Sequence, residues 1–268
     1  MSANPITFKP GSKIELATIP TRIEQDKIDK TEAKKLIGDN AEEMADLARC
    51  LYAENRRSIL LVLKGMDTAG KDGTIRAVMR GMNPRSCQVV SFKKPTEEEL
   101  DHDFLWRIHK HAPRKGNIGI FNRSHYEDVL VVRVHELFPK TVWKERYELI
   151  NDFEKLLTEN GTIVVKCYLH ISKEEQRERL QARIDEPRSR WKFNPGDLEE
   201  RKLWDDYQKA YEDALIKCNT RNAPWYIIPS DQKWYRNLVV SNLMRDTMKE
   251  LNPKYPEVRQ DFTGITVE

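Results

Sequence analysis

The sequence predicts an α/β fold in which one parallel, five-stranded sheet lies between layers of helices. Two observations lead to this fold class. Short aliphatic segments of strand length recur along the chain, and the first of them, Ser58 to Leu63, is apolar without interruption, as in strands buried on both faces. Segments with helical spacing separate them, and strands that alternate with helices form parallel sheets sandwiched by helices.

The individual elements follow from local patterns. A helix is expected from about Thr31 to Asn55, where apolar residues recur at spacings of four and three. Asn160-Gly161 should close a helix that begins near Thr141. After the first strand, four more strands are expected at Gln88–Phe92, Asn117–Phe121, Thr162–Leu169 and Trp225–Ile228.

Three residue pairs have the spacing of capping boxes, in which a side chain at the start of a helix and a glutamate three residues later satisfy each other's backbone N–H groups. Each pair would open a helix. They are Thr96 with Glu99, Ser172 with Glu175, and Asp197 with Glu200.

Composition indicates a globular protein of one domain over residues 1–268, because 39% of the residues are hydrophobic, 33% are charged and no linker of low complexity interrupts them. Residues 1–20 should form an extended arm and residues 252–268 a loosely attached tail. No apolar run is long enough to span a membrane, and no signal peptide is recognisable. The four cysteines are scattered, which predicts free thiols and a cytoplasmic location.

A phosphate-binding loop follows the first strand. Residues 65–74 read GMDTAGKDGT and contain Gly, four residues, Gly and Lys, the core of a Walker A loop. The glycines allow a turn whose backbone N–H groups face an anion at the start of a helix, and Lys71 adds a full positive charge. A buried strand before the loop and an amphipathic helix after it, with apolar positions through Met82, support this interpretation.

The loop departs from the usual pattern at two carboxylates. The residue after Lys71 is usually Ser or Thr, whose hydroxyl binds Mg²⁺, but here it is Asp72. Asp67 lies inside the loop, where a carboxylate repels phosphate unless a cation intervenes. We therefore expect Asp67 to face Mg²⁺ or the acceptor phosphate and Asp72 to cap the following helix.

A second cluster, FNRSHYED at residues 121–128, follows the third strand. Asn122 occupies the place of the acid that orients magnesium in such folds and could act only as a neutral oxygen ligand. Arg123 should direct its guanidinium at phosphate oxygens, and Glu127 could supply the missing carboxylate. His125 and Tyr126 are expected to pack and hydrogen-bond.

The two motifs, in this order and spacing, resemble those of the type 2 polyphosphate kinases. The resemblance extends from about Thr31 to Leu251 and includes SFKKPTEEEL, the stretch ISKEEQRERLQARIDEPRSRWKFNPGDLEER and APWYIIP. It implies a P-loop kinase fold similar to that of thymidylate kinase, with a lid over the site. It also implies reversible phosphoryl transfer between inorganic polyphosphate and nucleoside mono- or diphosphates, with Mg²⁺ as cofactor.

The resemblance assigns catalytic roles to Asp67, Lys71 and Arg123, and to Arg183 as the lid arginine. Mg²⁺ would be held by Asp67, with Glu127 as a second candidate. The lid would be a helical hairpin over residues 173–217, with helices from Lys173 to Ile184 and from about Leu198 to Lys217. The expected nucleotide- and phosphate-binding residues are Gly65, Ala69, Gly70, Asp72, Gly73, Thr74, Asn122, Glu127, Lys93, Arg188 and Lys192.

Two basic stretches, residues 93–115 and 173–192, are candidates for the extended cationic track that polyphosphate requires. The FNRSHYE pattern is similar to that of the subgroup that accepts both AMP and ADP, and a dimer or tetramer is expected from the family. The helix from Ile37 to Leu51 is one possible contact surface, although packing within its own chain is the commoner use.

Two other functions remain open from the sequence. An ATP-dependent nucleotide kinase of thymidylate-kinase-like fold would need a second nucleotide site, and the sequence contains no clear motif for one. A nucleic-acid-binding P-loop protein would carry aromatic residues for base stacking among its basic residues. Trp106 and Trp191 are available, but both are expected to pack against helices, so no nucleic-acid partner is predicted.

Overall fold

The computed structural model describes residues 3–24, 29–257, 263 and 266–267. Its five strands form one parallel sheet in the order β2-β3-β1-β4-β5. The strands are β1 (Ser58–Lys64), β2 (Cys87–Ser91), β3 (Ile118–Asn122), β4 (Thr162–His170) and β5 (Trp225–Pro229). All five strands predicted from the sequence are confirmed, with boundaries shifted by at most one residue.

Ten α-helices are described along these ranges. They are α1 (Lys30–Glu54), α2 (Lys71–Val78), α3 (Glu97–Leu100), α4 (Trp106–His109), α5 (Val131–Val134), α6 (Lys140–Glu159), α7 (Lys173–Asp185), α8 (Gly196–Lys202), α9 (Trp204–Lys217) and α10 (Lys233–Leu251).

The central strand, β1, lies in the core of the fold. All seven residues of β1 are buried, and Leu61 faces Ile120 of β3 on one side and Val165 of β4 on the other. Helices α1, α2 and α10 pack together, as do α5, α6 and α9, and they are the outer layers of the predicted α/β sandwich. The carboxyl ends of β1 and β3 therefore lie side by side, which brings the two sequence motifs together.

The apolar face of α1 is used within the chain. Met44, Ala48 and Leu51 are buried, and α1 packs along α10. Asn40, also buried, donates from Nδ2 to Ser241 Oγ at 3.0 Å. This is the commoner of the two uses that the sequence left open.

Two predicted helices are wrong in extent. The helix after the phosphate loop ends at Val78 rather than Met82, and Gly81, at φ +83°, lies in the turn that follows. The single helix expected over residues 198–217 is two helices separated by Leu203. Helix α8 has no buried residue, whereas α9 buries six, so the two segments meet different environments.

The N-terminal arm lies along the edge of the sheet. Ile6 and Ile227 of β5 exchange two backbone hydrogen bonds of 2.9 Å in an antiparallel bridge. Ala3 and Leu16 are buried. Of the predicted arm, residues 3–20 are described. Of the tail expected at 252–268, only residues 252–257, 263 and 266–267 are described. Across the described ranges, no helix combines the length and apolarity needed to cross a membrane.

Candidate active site

The phosphate loop connects β1 to α2, as the sequence predicts. Gly70 is the N-cap of α2 with φ +105°, and Gly65 and Thr68 also have positive φ values of 151° and 64°. The first backbone N–H groups of α2 lack partners within the helix, so the loop presents donors and the positive end of a helix dipole to an anion.

Side chains of helices that are distant in sequence donate hydrogen bonds to the backbone carbonyls of the loop. Gln176 of α7 donates to the Asp67 carbonyl at 3.1 Å. Arg179, also of α7, donates to the carbonyls of Thr68 and Ala69 at 2.9 and 3.1 Å, and Arg236 of α10 donates to the Ala69 carbonyl at 2.9 Å. None of these three residues was predicted to contact the loop, because no local sequence pattern connects them with it.

Lys71 lies over the loop that contains it. Its Nζ donates to the carbonyls of Gly65 and Met66 at 2.9 and 3.3 Å. Burial lowers the pKa of Lys71, with Lys64 and Arg123 acting in the same direction against Asp67. The ammonium is thus fixed where a phosphoryl group would meet the loop.

Arg123 faces the loop from the turn after β3. It has a left-handed φ of 63°, which is uncommon for a residue with a side chain. Its Nη2 lies 3.6 Å from Asp67 Oδ1, and half of its side chain is exposed. Burial alone would lower the pKa of Arg123, but the carboxylates of Glu127 and Asp67 raise it above the usual value. The guanidinium therefore stays charged and accessible.

The expected helix cap at Asp72 is wrong. Helix α2 begins at Gly70 with no side-chain cap, and Asp72, in the first turn, accepts a 2.7 Å hydrogen bond from Asn122 Nδ2. A partner from the neighbouring strand thus replaces the local backbone donors. Because the amide nitrogen of Asn122 faces the loop, its expected role as an oxygen ligand finds no support in this arrangement.

Glu127 has a partner that the sequence analysis missed. It lies on a 3-10 turn, His125–Asp128, and forms an ion pair with Lys64, the last residue of β1. The Lys64 side chain is 3% exposed. Burial lowers the pKa of Lys64, and Glu127 partly offsets this effect. Lys64 directly follows the aliphatic run Ser58–Leu63 and belongs to neither motif, so its ion pair with Glu127 could not be predicted from the sequence.

A buried polar network fixes this turn. His125 and Tyr126 are fully buried, as expected for packing residues, and both hydrogen-bond Glu154 Oε1 of α6, at 3.2 and 2.9 Å. Lys166 of β4 donates to Glu154 Oε2 at 2.5 Å and to Tyr126 Oη at 2.9 Å. Burial lowers the pKa of His125, which favours the neutral ring, whereas Lys166 and His125 outweigh burial and lower the pKa of Glu154.

Two adjoining cavities open above the loop. The larger, of about 770 Å³, extends along α7 and the start of α10, and the smaller, of about 260 Å³, extends toward α9 and includes Tyr207 and Tyr211. Both are lined by the same four charged residues, Asp67, Lys71, Arg123 and Asp197. These residues therefore mark the point where ligands in the two cavities would meet.

The lid residues contribute unequally. Arg183 and Lys192 line the large cavity, and Arg183 Nη1 lies 3.1 Å from Asp197 Oδ2.

The expected cap by Asp197 is wrong, because α8 begins after Pro195 and the Asp197 carboxylate pairs with Arg183 instead. The box at Ser172 is half formed, since Ser172 Oγ accepts from the Glu175 N–H while Glu175 pairs with Arg179. The box of Thr96 and Glu99 is confirmed.

The remaining predicted binding residues divide by position. Gly70, Asp72, Gly73 and Asn122 line the large cavity, and Gly65 and Glu127 line the small one. Ala69 and Thr74 are fully buried, and the Thr74 hydroxyl bonds the Gly70 carbonyl at 3.2 Å. Lys93 and Arg188 are exposed outside both cavities.

Comparison with known proteins identifies the family. Residues 27–256 match the family described as Polyphosphate kinase 2 (PPK2). The AMP/ADP-polyphosphate phosphotransferase of Meiothermus ruber is 51% identical over 237 residues, 88% of each chain. The ADP-polyphosphate phosphotransferase of Rhodopseudomonas palustris is 46% identical over 92% of this chain and 90% of that protein.

A solved structure agrees with these matches. The crystal structure of polyphosphate kinase 2 from Arthrobacter aurescens superimposes with a TM-score of 0.90 at 41% identity, covering 97% of this chain and 96% of that one. The chain therefore belongs to the polyphosphate kinase 2 family.

Proposed function

We propose that this protein transfers the terminal phosphoryl group of inorganic polyphosphate to AMP and ADP, reversibly. The observation that carries the proposal is the pair of cavities that share Asp67, Lys71, Arg123 and Asp197. A group-transfer enzyme needs donor and acceptor to meet at one set of charged residues, and here two differently lined cavities do so. The FNRSHYE motif and the 51% identity to an AMP/ADP-polyphosphate phosphotransferase support the dual acceptor.

We assign the large cavity to the donor. It includes the phosphate loop and seven cationic side chains, and it is the larger of the two cavities. Six carboxylates also line it, but three of them, Asp67, Glu175 and Asp197, are ion-paired with Arg123, Arg179 and Arg183. Lys192, which lines the same cavity, forms no ion pair with any described residue and is free to bind phosphate.

We assign the small cavity to the acceptor nucleotide. Tyr207 and Tyr211 offer ring surfaces, and Val131 offers an aliphatic one. Nucleotide bases bind to such surfaces through stacking and apolar contact. The acceptor's terminal phosphate would then point toward Lys71 and Arg123.

Transfer requires little proton chemistry. The attacking oxygen belongs to the acceptor's terminal phosphate, which is ionised at neutral pH, so positioning and charge neutralisation supply most of the catalysis. Lys71 and Arg123 would stabilise the charge of the transferring group, and Arg183 would join them when the lid closes. The P–O bond to the remaining polyphosphate breaks as the bond to the acceptor forms.

The donor set fits a magnesium ion that arrives with the phosphates. No group of three or more metal-binding side chains occurs in the described parts of the chain, and Mg²⁺ commonly uses one or two carboxylates with substrate phosphates and water. Asp67 lines both cavities and would hold it, whereas Glu127 is engaged by Lys64. When bound, Mg²⁺ would neutralise phosphate charge. We also propose a cytoplasmic dimer or tetramer with purine nucleotides as acceptors.

The test is to incubate the purified protein with AMP, Mg²⁺ and long-chain polyphosphate, without ATP, and to follow ADP and ATP over time. We expect ADP first and ATP later, with no product from Lys71→Ala. ATP formed only when ADP is supplied would contradict the dual acceptor and keep the polymer donor. No product unless ATP is added as donor would contradict the proposal and favour an ATP-dependent nucleotide kinase.

A further inference from the structure

One wall of the large cavity carries two cations outside both sequence motifs. Lys233 is the first residue of α10 and is exposed, and Arg236 follows one turn later with a relative exposure of 2%. Both line the cavity that contains Lys71. No motif pointed to either residue, because both lie far along the chain from the phosphate loop.

Arg236 lies directly against the loop. Its Nη1 donates to the Ala69 carbonyl at 2.9 Å, and Nε and Nη2 donate to Asn237 Oδ1 at 3.1 and 2.9 Å. A Cβ placed on Gly70 would lie 1.9 Å from Nη1, so Gly70 is required for this approach. A guanidinium has five N–H donors, and these bonds use three of them. Two donors therefore remain on a side chain that faces the cavity.

The charge of this wall is not neutralised locally. Glu175 is the nearby carboxylate, and it is paired with Arg179 at 2.8 Å. Burial lowers the pKa of Arg236 to about 9, and Arg179 acts in the same direction. Partial burial, Arg179 and Arg236 lower the pKa of Lys233, and only Glu175 opposes them. With a pKa of about 9, Arg236 stays protonated at neutral pH, so this wall carries positive charge.

Arg179 cannot itself bind the ligand. Its Nη1 donates to the carbonyls of Thr68 and Ala69, and its Nη2 to those of Ser230 and Asp231, just before α10. Its Nε bonds Glu175. Arg179 therefore joins the loop to the start of α10 and fixes the distance between Lys71 and the Lys233–Arg236 pair.

We propose that Lys233 and Arg236 form a subsite for the part of the polyphosphate chain that remains behind the transferred group. The chain would then leave the reaction centre over the start of α10, rather than over the basic stretch of residues 93–115. This inference rests on the proposed donor. The ligand is a linear polyanion with about one charge per phosphate, which suits two cations one helical turn apart, about 4.5 Å along the axis.

The test uses Lys233→Ala, because Arg236 also holds the loop. Initial rates with AMP would be measured against tripolyphosphate and against long-chain polyphosphate. We expect the KM for long-chain polyphosphate to rise about tenfold, as for the loss of one charged contact. The KM for tripolyphosphate and the kcat should change less than twofold. Lys34→Ala, an exposed lysine of α1 that lines neither cavity, is the matched control.

The salt dependence gives a second readout. Because each phosphate contact releases counterions from a polyanion, Lys233→Ala should also flatten the dependence of the long-chain KM on salt, by analogy with nucleic acids. An unchanged KM and salt slope in Lys233→Ala, with the wild-type protein active on polyphosphate, would overturn the subsite alone. The subsite would also be overturned if the KM for long-chain polyphosphate, but not for tripolyphosphate, rose in Lys93→Ala and stayed unchanged in Lys233→Ala. A wild-type protein inactive with polyphosphate would overturn the proposed donor first.

Discussion

The floor of the cleft and its lid are built in opposite ways. The floor is the loop of residues 65–74 with the turn of residues 122–128, and Gln176, Arg179, Arg236 and Glu154 hold it from inside the protein. The exposed part of the lid, residues 182–202, includes no buried residue, and Trp191 at its tip is 79% exposed. Fixed donors need no reorganisation when charge develops, whereas a lid must open for substrate and close to exclude water.

The first way to test this difference is to weaken the floor. Glu154→Gln leaves Lys166 buried with no charged partner, and removal of one member of a buried ion pair costs about 3–5 kcal/mol. We expect the free energy of unfolding to fall by that amount in urea denaturation. Glu159→Gln, on the same helix but 61% exposed and 3.8 Å from Lys155, should cost less than about 0.5 kcal/mol. Equal effects of the two substitutions would contradict a preorganised floor.

The second way is to remove the floor's charge. Lys71→Ala should lower kcat about 100- to 1000-fold, because it deletes a fixed electrostatic donor. Steady-state rates with polyphosphate and AMP measure this. Lys209→Ala, an exposed lysine of α9 paired with Asp206, is the control and should keep wild-type rates. If Lys71→Ala kept more than a tenth of the wild-type kcat, Lys71 would not be the principal phosphate cation.

The pH dependence of stability probes the same turn. Burial raises the pKa of Asp128 to about 6, although Arg146 at 3.0 Å lowers it. Between pH 4 and 6 the folded protein therefore binds a proton that the unfolded chain does not, so this group's contribution to stability decreases as the pH rises. The stability difference between wild type and Asp128→Asn should fall by up to about 3 kcal/mol across this window, in urea titrations. If the stability difference between wild type and Asp128→Asn stayed constant from pH 4 to 6, the raised pKa of Asp128 would be contradicted.

The lid should respond differently. Arg183→Ala should reduce kcat about tenfold to a hundredfold, as for loss of a charge delivered on closure. Its stability should change by less than about 1 kcal/mol, because the pair with Asp197 is partly exposed, at 27% and 15%. Asp197→Asn, which frees Arg183, should have the smaller effect on kcat. Steady-state rates and thermal melts of the two variants measure these effects. A large loss of stability in Arg183→Ala would mean that the lid residue, like those of the floor, is structurally required.

Local patterns predicted the fold well, and the reason is physical. The continuous run at Ser58–Leu63 and the Gly-x4-Gly-Lys motif depend on neighbouring residues in the chain, so periodicity and turn chemistry identify them. The parallel sheet then follows from the alternation of strands and helices. Lys71 and Arg123, which belong to the two local motifs, line the cleft, and so do Arg183 and Lys192, which the family resemblance assigned to the lid.

Long-range partners were beyond reach of the sequence. Asp72 and Asp197 both have the spacing of helix caps, but Asn122 and Arg183 compete for their carboxylates from elsewhere in the fold. The predicted first strand ends at Leu63, just before Lys64, and no role was predicted for Arg236. Each gains a function only through a contact across 63 or 167 residues of sequence.

The contrast between floor and lid is tested most directly by hydrogen exchange of the backbone amides. The rates would be compared with and without polyphosphate, AMP and Mg²⁺. We predict that ligands slow exchange over residues 182–202, while residues 65–74, held by Arg179 and Arg236, keep nearly the same protection. If the loop gained most of the protection and the lid stayed unchanged, the floor would be the element that moves, and a preorganised floor beneath a closing lid would be the wrong description.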